Sequence, residues 1–121
     1  SVKPSLTNTP LHALITLNDV TFVEAARVLA ERIMQDSDEP SQRITAAFRR
    51  TTSRQPKPRE IDVLLRRFEI LKSEYAAVDE AAQQLVQTGE FPRDEALDTM
   101  EHAAYSSICL MLLNLDEALT K

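Results

Sequence analysis

The sequence predicts an all-α fold, a compact bundle of five or six helices with a central apolar C-terminal helix. Gly89 is the only glycine among 121 residues, whereas hairpins and bulged sheets need several residues with positive φ, which glycine adopts most easily. Apolar residues also recur at steps of three and four, the spacing of helices that bury one face. With 43% hydrophobic residues, residues 1–121 can form a single helical domain.

The first two predicted helices start at polar capping residues. Thr9 and Pro10 suit the cap and the first position of a short helix. Asn18 or Asp19 then caps a longer helix. The apolar residues of the short helix are Leu11, Leu14 and Ile15, and those of the longer helix are Phe22, Val23, Ala26, Leu29, Ala30, Ile33 and Met34. We expect three charged residues of the longer helix to point away from the core: Arg27, Glu31 and Arg32.

Prolines and acidic residues mark the next two helices. The segment from Asp36 to Pro40 ends one helix and starts another, with acids where the N-terminal helix dipole favours them. This third helix should stop before Pro56, because the residue ahead of a proline is pushed out of helical geometry. Its predicted core residues are Ile44, Ala47 and Phe48. Pro58 opens the longest periodic segment, with the apolar residues Ile61, Leu64, Leu65, Phe68, Leu71 and Tyr75.

The periodic pattern changes phase at Val78, where we expect a break and a short helix capped by Asp79. That helix should end near Gly89, since glycine is a common C-terminal stop. Its apolar residues are Ala82, Leu85 and Val86. Pro92 and the acids that follow it start the last long helix, predicted over about Asp94–Leu113. Because its second half is apolar almost all round, this helix should be central.

No cluster of residues supports a catalytic, cofactor-binding or metal-ligating site, and we assign none. His12 and His102 are the only histidines and Cys109 is the only cysteine, so no zinc or haem-attachment spacing is present. Glu101 precedes His102, but adjacent helix positions face different directions. Cys109 lies in the most apolar stretch, which favours a buried, inert thiol. Two serines should bond to carbonyls four residues earlier: Ser106 and Ser107.

Basic residues are concentrated in one segment of an acidic chain. Between Arg43 and Lys72 there are nine basic and three acidic residues, a net charge of +6, in a chain whose net charge is −5. A nucleic-acid surface would want aromatic or glycine-rich recognition elements, and none accompanies this segment. We therefore expect no nucleic-acid partner. We expect four arginines to serve folding and docking against acidic surfaces instead: Arg49, Arg50, Arg66 and Arg67.

Targeting signals are not visible in the sequence. The longest apolar run, Ile108 to Leu113, is far shorter than the roughly 20 residues of a membrane-spanning helix. No stretch reads as a signal peptide. The chain begins at Ser1 without a methionine, so we expect a processed product or a fragment of a larger multidomain protein.

Several short phrases resemble one family when they are taken together. The chain is similar to the C-terminal part of domain of unknown function 1553, a planctomycete-type family, over nearly its whole length. Two residues depart from the family pattern, which usually has glutamine at His12 and tryptophan at Tyr105; a position that accepts glutamine argues against an essential metal ligand. The phrases are Thr7-Asn8-Thr9-Pro10-Leu11-x-Ala13-Leu14, Leu17-Asn18-Asp19, Phe22-Val23-Glu24-Ala25-Ala26, Arg43-Ile44, Phe48-Arg49, Arg54-x-Pro56, Glu60, and Leu112-Leu113-Asn114-Leu115-Asp116-Glu117.

The resemblance implies a context but no activity. Family members are large proteins in which this region accompanies a second uncharacterised domain and often a cytochrome-c-like haem domain, which would lie outside this chain. Their N-terminal signals imply an extracytoplasmic location. The family supplies no catalytic residues. The polar residues of the phrases are interpreted as helix caps and turn residues: Asn8, Thr9, Asn18, Asp19, Asn114 and Asp116.

These observations leave three functional hypotheses. The first is a non-enzymatic helical module that packs against the remaining domains of a large extracytoplasmic protein. The second is part of an enzyme whose active site lies mainly in a missing N-terminal region, and the third is a basic-patch binding module. A contiguous exposed apolar patch would favour the first hypothesis, and a polar, charged pocket would favour the second.

Overall fold

The computed structural model describes residues 20–119, with side chains up to residue 115. No strand occurs in this part of the chain, so the all-α prediction is confirmed. The short helix predicted at Thr9 lies outside the described residues, as do the caps Asn18 and Asp19. The five described helices are α1 (Val20–Asp36), α2 (Pro40–Thr52), α3 (Pro58–Ala77), α4 (Asp79–Val86) and α5 (Thr99–Leu119).

Helix α5 is the central element of the bundle. It contacts α1, α2, α3 and α4, which surround it in chain order, with α4 next to α1. Every residue from His102 to Leu112 is buried, because these positions meet a neighbouring helix on each side of α5. The prediction of a central, apolar C-terminal helix is therefore confirmed.

The core is built from the apolar faces predicted for each helix. Phe68 of α3 stacks on Tyr105 of α5, with ring centroids 4.2 Å apart. The Arg43 guanidinium lies 5.3 Å from the Tyr105 ring centroid, in the range of a cation–π contact. Representative core residues from α1 to α5 in order are Val23, Ile33, Ile44, Phe48, Leu64, Leu71, Leu85, Ile108 and Leu112.

Two predicted helix breaks are confirmed, with different capping chemistry. Helix α2 ends at Thr52, and Ser53 adopts a left-handed φ of 61° while its backbone N–H donates to the Arg49 carbonyl at 2.9 Å. Helices α3 and α4 are separated at Val78, which serves as the N-cap of α4 without a side-chain hydrogen bond. The prediction that Asp79 caps α4 is wrong, because its carboxylate accepts a hydrogen bond from the Gln83 side chain instead.

The last helix begins later than the sequence predicted. It begins at Thr99, after the predicted starting residues Pro92, Asp94 and Glu95. The Asp94 carboxylate accepts the Ala96 backbone N–H at 3.0 Å and so forms a turn ahead of the helix. The Asp98 carboxylate then accepts the Glu101 backbone N–H at 2.9 Å, as an N-cap does. The helix also continues past Leu113 to Leu119. Asn114 is therefore not a terminal cap: its amide donates to the Leu110 carbonyl within α5.

Candidate functional site

A row of polar side chains on α1 holds the segment 87–98, which connects α4 to α5. Glu24, Arg27, Glu31 and Gln35 follow one another at helical steps of three and four, so they share one side of α1. All four contact this connecting segment. This row was not predicted from the sequence. The helical pattern predicted that Arg27 and Glu31 point away from the core, and that prediction is wrong, because both side chains are buried.

Glu24 fixes the start of the connecting segment. Its carboxylate accepts the backbone N–H groups of Phe91 and Glu90 at 2.7 and 2.8 Å. These hydrogen bonds, that of Phe91 foremost, lower the pKa of Glu24. The close approach requires glycine at Gly89, where φ is 87° and a Cβ atom would lie 2.2 Å from Cδ of Glu24.

Arg27 is the most deeply buried charge in this row. Its side chain is 1% exposed, and its nearest carboxylate oxygen, on Glu24, is 4.0 Å from Nη2. Nε donates to the Thr88 carbonyl at 2.6 Å, and Nη2 donates to the Phe91 carbonyl. Nη1 is buried and has no hydrogen-bond partner among the described residues. The guanidinium thus donates from Nε and Nη2 to two backbone carbonyls of the connecting segment.

His102 completes the cluster from α5. Its Nδ1 lies 3.1 Å from Nε of Arg93, which can only donate, so Nδ1 accepts. Nε2 therefore carries the hydrogen and donates to the Arg27 carbonyl at 2.9 Å. Burial lowers the pKa of His102 despite the backbone hydrogen bond, and the positive charge of Arg93 lowers it further. Both ring nitrogens of this fully buried imidazole are committed to the fold.

Asp94 ties the far end of the segment to α1. Its backbone N–H donates to Glu31 at 2.8 Å, and its carboxylate accepts the Gln35 amide at 3.0 Å. The hydrogen bonds from Gln35 and from the Ala96 backbone lower the pKa of Asp94. We call the whole set the segment clamp: Glu24, Arg27, Glu31, Gln35, Arg93, Asp94 and His102.

The potential nucleophiles of α5 are buried and used in packing. Ser106 donates to the His102 carbonyl at 2.7 Å, as predicted. The same prediction is wrong for Ser107, whose hydroxyl lies 2.7 Å from that of Tyr75 on α3. Burial raises the pKa of Cys109 to about 12, so this thiol stays protonated at neutral pH.

No metal cluster or membrane-spanning helix is found in the described part of the chain. Between residues 20 and 115, no three His, Cys, Asp or Glu side chains lie close enough together to hold a metal ion. His12 is outside this range. Among the described helices, none combines the length and hydropathy needed to cross a membrane.

One polar concavity lies between α3 and the start of α5. It measures about 470 Å³ and is lined in part by Lys72, Asp98 and Glu101. Glu101 is already paired, since it lies 4.0 Å from Lys72 and 3.7 Å from Arg43, and the Asp98 carboxylate accepts the Glu101 backbone N–H. Glu101 consequently faces these cations, and the sequence neighbour His102 takes its partners elsewhere.

The basic segment is only partly neutralised. Arg54 forms a bidentate pair with Glu60 at 3.0 and 2.8 Å, which lowers the Glu60 pKa to about 2. Arg50 lies 3.6 Å from Asp36. The remaining basic side chains of this segment form no ion pair with any described residue: Arg49, Lys57, Arg59, Arg66 and Arg67.

An apolar groove opens beside these unpaired cations. It has a volume of about 250 Å³ and lies where α2, α3 and the C-terminal half of α5 meet. Its floor is buried, but two aliphatic side chains on its edges are half exposed: Val63 at 49% and Leu115 at 48%. We call it the α3–α5 groove; its lining includes Phe48, Arg59, Val63, Leu64, Leu112 and Leu115.

The fold and this groove define an all-α bundle built around its last described helix, with an apolar surface between α3 and α5 that no described residue covers. The chain belongs to the family described as Protein of unknown function (DUF1553), whose model matches residues 1–68. The match spans α1, α2 and the first half of α3. No significant match was found among curated proteins or among solved structures.

Proposed function

We propose that this chain is a helical docking module that packs against the rest of a larger protein through the α3–α5 groove. The single observation that supports this function is the half-exposed aliphatic rim of the groove, Val63 and Leu115, over a floor that is already buried. Isolated surface aliphatics are ordinary, but aliphatics grouped around a concavity are typical of binding surfaces. The family match adds no activity to this proposal, because the family itself is one of unknown function.

The experiment compares one substitution in two settings, the 121-residue chain and the full product of its gene. Val63→Glu should change the stability of the chain alone by no more than about 0.5 kcal/mol, since the side chain is exposed. In the full product it should cost about 2 kcal/mol, because the apolar contact of Val63 with the docked domain is lost and a carboxylate is desolvated in its place. Urea denaturation followed by circular dichroism measures both values.

Val78→Glu is the matched control, because Val78 is 54% exposed and lies at the α3–α4 junction. It should have little effect in either setting. The proposal is wrong if Val63→Glu costs no more stability than Val78→Glu in the full product. It is also wrong if the full product contains no residues beyond these 121.

A second candidate, part of an enzyme, is supported by the polar concavity at Lys72, Asp98 and Glu101. Three charged groups around one opening could hold a polar substrate against a second domain. The pairing of Glu101 with Lys72 and Arg43, and the helix-capping hydrogen bond of Asp98, argue for a structural role instead. Asp98→Asn and Glu101→Gln in the full product would separate the two, since an active-site wall would change substrate turnover while leaving docking intact.

Nucleic-acid binding remains a testable alternative for the basic segment. We expect none at physiological salt. Fluorescence anisotropy with single-stranded and duplex oligonucleotides, at two salt concentrations, tests this, because phosphate contacts give a steep salt dependence. Saturable binding that is abolished by reversing the charges would favour a binding module; the set to reverse is Arg49, Arg50, Arg66 and Arg67.

A further inference from the structure

We infer that the partner of the α3–α5 groove is an amphipathic helix with an aliphatic stripe and acidic side chains on its flank. This inference rests on the proposed docking function and names the chemistry of its partner. Three features of the surface carry it: the size of the groove, the arrangement of its walls, and the charges that surround it.

The size of the groove fits side chains better than a small molecule. Ligand pockets commonly have about 300 to 1,000 Å³, and this groove has about 250 Å³. Its lining is aliphatic and aromatic apart from the residues at one end, so an inserted group would be apolar. One or two leucine-sized side chains from a partner would fill it.

The walls of the groove are two helices, which favours a helix as the occupant. Leu112 and Leu115 are three residues apart on α5, and Val63 and Leu64 face them from α3. A row of residues spaced by three and four on a third helix can place its side chains between such walls. Phe48 of α2 closes the floor and is 5% exposed.

The charges at the groove select an acidic partner. Glu60 borders the groove, but Arg54 already neutralises it through the bidentate pair, and Arg54 also covers the Phe48 ring at 4.7 Å. Arg59 lines the groove and has no ion pair with a described residue. Arg66 and Arg67, about two turns further along α3, are likewise without one. Over the described residues 54–69, five basic side chains stand against the three acids Glu60, Asp62 and Glu69, so the net charge that a partner meets along this stretch is positive.

The test uses three designed peptides of about four helical turns with the same leucine stripe. Their flanking positions carry glutamate, glutamine or lysine. Binding of each labelled peptide to the 121-residue chain is measured by fluorescence anisotropy at low and at physiological ionic strength. We expect the glutamate peptide to bind roughly tenfold more tightly than the glutamine peptide, a difference of about 1.4 kcal/mol, and the lysine peptide to bind most weakly.

Variants of the chain locate the binding site. Val63→Glu should abolish binding of all three peptides, whereas Arg59→Glu should remove the preference for the glutamate peptide and retain binding of the glutamine peptide. Val78→Glu should behave as the parent chain does. Circular dichroism of each variant checks that the bundle is folded.

Several results would overturn the inference. If the three peptides bind equally well, or if no peptide binds, the inference of an acidic partner is wrong. A concentration-dependent dimer that Val63→Glu disrupts would assign the groove to a second copy of the chain, and binding that appears only after deletion of residues 1–19 would assign it to that segment. If Val63→Glu is costly in the full product while the peptides show no charge preference, docking stands and only the partner chemistry fails.

Discussion

Replacing Arg27 with methionine should release the segment 87–98 from α1. The substitution keeps an unbranched side chain in the buried position but removes both hydrogen bonds to the Thr88 and Phe91 carbonyls. These bonds join residues 61 and 64 positions apart in the chain. Their loss therefore acts on the tertiary structure and not on the helical propensity of α1.

The size of the effect follows from the contacts of the guanidinium. A hydrogen bond from a charged donor contributes about 1.5 to 3 kcal/mol, so two contribute about 3 to 6 kcal/mol. Against this, Nη1 is buried without a partner among the described residues, which costs about 1 to 3 kcal/mol and is relieved by methionine. We expect a net loss of about 2 to 3 kcal/mol, or a melting temperature lower by roughly 10 °C.

Urea denaturation of the parent chain and of three variants is the assay. Arg32→Met on the exposed side of α1 should stay within about 0.5 kcal/mol of the parent. Arg27→Lys should recover at most about half of the loss, since an ammonium cannot donate to both carbonyls in the guanidinium geometry. Tryptic cleavage after Arg93 should be faster in Arg27→Met, because this bond lies in the released segment.

The reasoning is refuted if Arg27→Met is no less stable than Arg32→Met. Full recovery by Arg27→Lys would also contradict it, because charge alone would then account for the contribution of Arg27.

Three further outcomes concern α5. Ile108→Asp should prevent folding, seen by circular dichroism, because Ile108 is fully buried and an unpaired carboxylate there costs several kcal/mol of a total of about 5 to 15 kcal/mol. Tyr75→Phe should cost about 1 kcal/mol in urea denaturation, since it removes the hydrogen bond to Ser107. The lowered pKa of His102 means that the unfolded chain takes up this proton first, so stability should fall as pH drops through about 6.5 and level off below the folded pKa. His102→Gln should flatten that part of the stability profile.

Each of these outcomes has its own control. A melting temperature of Ile108→Asp within a few degrees of the parent, on the order of a 1 kcal/mol change, would show that this face of α5 is exposed. Adding Ser107→Ala to Tyr75→Phe should cost little more, because the partner is already gone; full additivity would argue against the bond. His12→Gln should leave the pH dependence intact, and loss of that dependence in this variant would contradict the assignment to His102.

The helices and their buried faces could be predicted because they depend on local spacing. The apolar residues of α3 repeat from Ile61 to Tyr75, over about four turns, and Val78 interrupts that repeat where the helix breaks. The start of α5 could not be placed in this way. Asp94 and Asp98 are both aspartates with acidic neighbours, so either could cap the helix. Only the contacts of Asp94 with Gln35 and Glu31 decide that a turn forms at Asp94 and that the helix starts after Asp98.

The segment clamp escaped prediction for a related reason. Arg27 and Glu31 are charged, and a helical pattern alone assigns charged residues to the solvent side. Their partners are backbone carbonyls and N–H groups of the segment 87–98, which carry no signature in the sequence. The spacing of Glu24, Arg27, Glu31 and Gln35 was the available signal, since a polar row of this kind on one helix face indicates a polar contact across it. The groove was equally hidden, because it depends on how α3 approaches the end of α5.

The central position of α5 has a consequence for synthesis. Helices α1 to α4 leave the ribosome before α5, yet each turns its apolar face toward that later helix. Until α5 emerges, these faces can only contact one another or a chaperone, since domains generally fold as units. The nascent chain therefore completes this core only once α5 has emerged, and a ribosome that stalls before residue 99 would release α1 to α4 without the helix that joins their apolar faces.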